Sequence, residues 1–109
     1  MKNNSELFRQ VSYGIVFAQC FCVDNPFSGS ELLFKELRSA HQWVSGVGEE
    51  LGPQHSDEIS HVVAVLRDIA EIAEDRQLNL LAGDSKGLAA NITRCLESEQ
   101  FEGKTDVSH

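Results

Sequence analysis

The sequence predicts an all-α protein: one domain, built as a small antiparallel bundle of about four helices. Three observations predict it. Apolar residues recur at steps of three and four along most of the chain, the period of a helix face. Proline and glycine interrupt that pattern at Asp24-Asn25-Pro26, Gly52-Pro53 and Ala82-Gly83-Asp84. The connections so defined have the length, roughly two to eight residues, that joins neighbouring helices.

The first helix starts at a cap on Asn3 or Ser5 and buries Phe8, Val11, Ile15, Ala18 and Cys22. Tyr13, Phe17 and Cys20 form a second apolar stripe on its opposite side. A helix apolar on two sides is either central in its bundle or covered by another chain. The β-branched and aromatic residues between 11 and 23 also permit a strand there, and that is the competing reading.

The second helix has a capping-box pattern, Ser28 with Glu31, flanked by Phe27 and Leu32 as a hydrophobic staple. Its seam is Leu33, Leu37, Ala40, Val44, Val47 and Leu51, with fraying or an end of the helix expected near Ser45 because Gly46 and Gly48 are poor helix formers. The third helix starts at Ser56, where Asp57 and Glu58 suit the positive end of the helix dipole. It buries Ile59, Val62, Val63, Leu66, Ile69, Ala70 and Ala73, and Leu80 and Leu81 carry it to a terminal glycine at Gly83. The fourth is capped by Asp84 or Ser85 and buries Leu88, Ala89, Ile92, Cys95 and Leu96. The bundle domain is assigned to residues 1–102, with a polar, disordered tail over 103–109.

Charge restricts the partners. The 109 residues carry 17 acids and 9 bases, a net charge of −8, and the bases are scattered. That balance argues against direct nucleic-acid binding and against an anionic membrane surface. The apolar run from Tyr13 to Val23 is about half of the ~20 residues a membrane span needs. An odd number of cysteines, 3, without framework spacing fits reduced thiols in a cytoplasm.

Local chemistry is sparse. On a helix, residues two apart point about 200° apart, so Cys20 and Cys22 diverge and do not share a metal. His41, His55, His61 and Cys95 lack the close-spaced pairs of a zinc site, although His41 and Cys95 both fall on inner faces. No phosphate loop, dinucleotide fingerprint or nucleophile elbow is present. No metal, cofactor or catalytic residue is therefore assigned, and the chain is expected not to be an enzyme.

Two surface features remain. Asp57, Asp68, Glu71 and Asp75 form an acidic face on the third helix, most simply a solvated one, with Arg67 and Arg76 near enough to neutralise part of it. Tyr13, Phe17, Cys20, Trp43, Val65 and Ile72 lie off the main seams and are the candidate partner-binding residues. The expected function is protein–protein binding by a small acidic helical protein of inhibitor, antagonist or adaptor type, self-associating as a homodimer. The alternatives are a regulator dependent on metal or thiol chemistry at Cys20, Cys22, Cys95 and His41, and a small enzyme or ligand binder with a pocket inside the bundle.

Overall fold

The computed structural model describes the backbone of residues 4–107 and the side chains of residues 6–98. Four α-helices follow one another: α1 (Asn4–Asp24), α2 (Ser30–Val47), α3 (Ser56–Asp75) and α4 (Asn79–Val107). Two 3₁₀ turns, Gly48–Glu50 and Pro53–His55, join α2 to α3. The all-α bundle expected from the periodicity is the fold observed. Residues 11–23 are helical, so the strand reading falls. A cap at Asn3 lies outside the described residues, and the backbone over 103–107, assigned to the tail, is the last part of α4.

The central helix is α1. It packs against α2 on one side and against the α3–α4 hairpin on the other, whereas α2 makes no close backbone approach to α3 or α4. Gly14 permits this arrangement: a Cβ there would stand 3.0 Å from Leu66 Cδ1 and 3.2 Å from Ile92 Cδ1. Around it Leu7, Val11, Ile15, Ala18, Phe21 and Cys22 are buried, and Phe8 is only half-buried. Every residue assigned to the inner face of the third helix between Ile59 and Ala73 is buried. At the α3–α4 contact the buried residues include the small side chains Ala70, Ala73, Ala82, Ser85 and Ala89, which let two helices approach closely.

The helix ends differ from the sequence reading in three places. First, α2 is capped by Gly29 at φ 88°, not by Ser28. The Ser30 amide donates to Phe27 O at 2.9 Å and the Phe27 amide donates to Ser30 Oγ at 3.1 Å. This tight turn needs a left-handed residue, which glycine supplies cheaply. Phe27 packs near Phe21, with ring centroids 6.2 Å apart, while Leu32 is 65% exposed and staples nothing. Second, α2 continues two residues past Ser45, to Val47, and stops at Gly48, φ 62°.

The third difference is the largest. α3 ends at Asp75, not Gly83, and Gly83, Asp84 and Ser85 lie inside α4. The stop is made by Gln77 at φ 64°. The Leu78 amide donates to Ala73 O at 2.8 Å and the Gln77 amide donates to Glu74 O at 3.0 Å, the paired bonds of a Schellman ending. Glutamine in the glycine position hides this ending from a reader of the sequence. Leu80 is thus exposed in the first turn of α4, and Ser85 is fully buried and donates to Leu66 O at 2.5 Å.

Arg76 locks the far end of the bundle. Its guanidinium donates to Asn25 O at 3.2 Å and Pro26 O at 3.0 Å, tying the end of α3 to the α1–α2 turn. Among the described residues it forms no direct ion pair with the acidic face.

Candidate interaction surfaces

The acidic face is where the spacing put it. Asp57, Asp68, Glu71 and Asp75 are all exposed on α3, and none forms an ion pair among the described residues. Lys86 of α4 pairs instead with the neighbouring Glu74.

The six candidate docking residues do not form one site. Tyr13, 63% exposed, and Cys20 are open to solvent on α1, with Phe17 half-buried beside them and packed on the core. Trp43 lies across the bundle on α2, half-buried, its ring edge-to-face with His55 at 5.3 Å. His55 is held in turn by the Gly52 amide, which donates to His55 Nδ1 at 3.3 Å. Ile72 is half-buried against the core. Val65 is only 6% exposed, so it supplies no docking surface. The sequence reading placed it on an outer stripe because it sits at the edge of the α3 apolar arc. Central α1 widens the arc that α3 must bury.

The outward face of α1 holds more than was assigned to it. Val16, 39% exposed, and Val23, 62% exposed, join Tyr13 and Cys20 at steps of three and four. That spacing was legible, but Phe17 masked it by offering a competing step of four from Tyr13. Exposed Arg9 and Asp24 close the two ends of this stripe. Arg9 also pairs with Glu6, whose carboxyl is held below its ordinary range by hydrogen bonds from Gln10, at 2.8 Å, and from Arg9. Beyond Val23 the apolar surface continues into a shallow groove of about 810 Å³ that Leu32, Phe27 and Phe34 help to line.

Cys20 is exposed and Cys22 buried, the divergence that a helix requires. Burial pushes the Cys22 thiol up from its ordinary value. His41 and Cys95 lie on α2 and α4, two helices whose backbones do not approach each other closely. Among the described residues no three His, Cys, Asp or Glu side chains stand where they would share a metal ion. No helix among those residues is long and apolar enough to cross a membrane.

A second groove, of about 500 Å³, opens where α2 and α3 diverge. Trp43 is in its wall and Val11 of α1 in its floor. No signal in the sequence marks it, because it exists only through the separation of two helices.

No protein-family model, no curated protein and no solved structure matches this chain.

Proposed function

We infer that this is a non-catalytic, cytoplasmic helical protein that acts by docking onto other proteins and pairs with a second copy of itself through the outward face of α1. The observation that carries this reading is the symmetry of that face. Arg9, Tyr13, Val16, Phe17, Cys20 and Asp24 are spaced identically from either end. A two-fold axis crossing α1 between Val16 and Phe17 therefore sets Arg9 against Asp24 of the copy, Tyr13 against Cys20, and Val16 against Phe17. An interface between identical chains must be self-complementary in this way. Here charge meets opposite charge at both ends, and apolar side chains meet in the middle.

Two variants test the pairing. Val16→Asp puts a carboxylate at the axis without touching the core, which Phe17→Asp would disturb because Phe17 packs on it. Light scattering is expected to show a particle of twice the 12.1 kDa chain mass for the parent and the single-chain mass for Val16→Asp. Tyr13→Cys is expected to form a disulfide between chains with Cys20 of the copy. Within one chain these positions are about 10 Å apart along the helix, too far for a disulfide. A parent that runs as a single chain at high concentration, or a Tyr13→Cys variant that never crosslinks, refutes the pairing.

A further inference from the structure

We propose that the groove between α2 and α3 receives a basic amphipathic helix of another protein, seating its apolar side chains inside and its arginine or lysine heads on the rim. The interior is apolar: the half-buried Ala40 and Trp43 side chains line it, backed by Val11, Val44, Ile59 and Val62, which are themselves buried in the core. Its volume, about 500 Å³, is that of a few anchoring side chains rather than of a whole helix. The rim is negative. Asp57 and Glu58 stand on the α3 side, and His61, which also lines the groove, lies 4.0 Å from Glu36 of α2.

None of the residues lining the groove is lysine or arginine, and neither Asp57 nor Glu58 forms an ion pair among the described residues. The dipole of α3 accounts for acids in its first turn. It does not account for an apolar trough beside them with no cation of its own. Long basic side chains fit such a place because their stems lie along apolar surface while their heads reach outward. An arginine head that reaches the Trp43 indole gains further from cation–π attraction. The chain's net charge of −8 draws the same kind of partner from a distance. This inference does not depend on the pairing through α1, which uses a different face.

Trp43 is the one tryptophan in the chain, so its emission reports on the groove directly. The probe is a synthetic leucine–arginine amphipathic peptide of about four helical turns, with a leucine–glutamate peptide of the same pattern as its counterpart. The arginine peptide is expected to shift Trp43 emission saturably, and the glutamate peptide to leave it unchanged. The Asp57→Asn, Glu58→Gln double variant is expected to weaken binding about fivefold or more, at unchanged helicity by circular dichroism. Asp68→Asn with Glu71→Gln, on the outward face of α3, is expected to keep the parent affinity, as is Val16→Asp. The proposal is overturned by the absence of saturable binding, by equal binding of the glutamate peptide, or by equal loss in both double variants, which would mean diffuse charge attraction. It is also overturned if Val16→Asp abolishes binding, or if Trp43 emission shifts with chain concentration alone, since a second copy would then fill the groove.

Discussion

Gln77 and the paired thiols show how much one residue's conformation decides. A non-glycine residue in the left-handed region costs about 1–2 kcal/mol, and Gln77 sits there at φ 64°. Glycine would remove that cost but would lose more entropy on folding, by about 0.4–1 kcal/mol. Gln77→Gly is therefore expected to stabilise the chain by about 0.5–1 kcal/mol, seen as a higher urea midpoint at unchanged slope. A lower midpoint would mean that Gln77 makes compensating contacts. The thiols give a second residue-scale prediction. Thiolate is the reactive form, and Cys22 is 4% exposed with its thiol pushed up by burial. In the single-chain Val16→Asp variant, where the α1 face is open, a disulfide reagent should modify Cys20 ahead of Cys22, which should react only on unfolding. With Cys95 replaced by serine throughout, Cys20→Ser should abolish the fast phase, and a rapid phase that survives it would contradict the helical divergence of Cys20 and Cys22.

At the scale of elements, glycines inside helices separate close packing from open surface. Gly14 and Gly83 are both helical. A Cβ at Gly14 would press on Leu66 and Ile92, whereas one at Gly83 would meet nothing within 4 Å. Gly83→Ala is expected to raise stability by about 0.5–1 kcal/mol through helix propensity alone. Gly14→Leu is expected to lower it by about 1–3 kcal/mol, because the α1 contact with α3 and α4 cannot absorb the added volume. Thermal melts of the two variants should move in opposite directions. If Gly83→Ala proves destabilising, the helix end belongs at Gly83 after all. The same contrast explains why the periodicity located all four helices yet misplaced the α3–α4 junction. Glycine is the usual left-handed residue, so Gly83 outcompeted Gln77 as a stop signal. What terminates α3 is the bond from the Leu78 amide to Ala73 O, which composition does not reveal.

For the molecule as a whole, salt distinguishes the two surfaces. The proposed pairing through α1 would rest mainly on apolar contact around Val16 and Phe17, with charge only at Arg9 and Asp24. Docking of a basic helix rests on Asp57, Glu58 and the net charge of −8. At about 1 M salt the screening length falls to about 3 Å. Peptide binding at the groove is then expected to weaken by about tenfold or more from its low-salt value, while the light-scattering mass of the pair holds steady. Dissociation of the pair by salt, with peptide binding intact, would reverse these roles. Both surfaces follow from one architectural fact: α1 is central, with α2 on one flank and the α3–α4 hairpin on the other. That placement leaves one face of α1 uncovered and keeps α2 apart from α3.

Periodicity alone was enough to determine the helical class, the buried arc of α3 and the acidic face, because each depends only on 3.6 residues per turn along one segment. The divergence of Cys20 and Cys22 follows from the same geometry. Tertiary packing decided which surplus apolar residues reach solvent: Val65 is covered, whereas Tyr13, Val16 and Val23 are not. It also decided that Trp43 lines a groove instead of joining the α1 stripe. A helix pattern says which residues share a side of one cylinder. Only the distances between cylinders say whether that side is filled, and those distances depend on side chains brought together from far apart in the chain, as Gly14, Leu66 and Ile92 are.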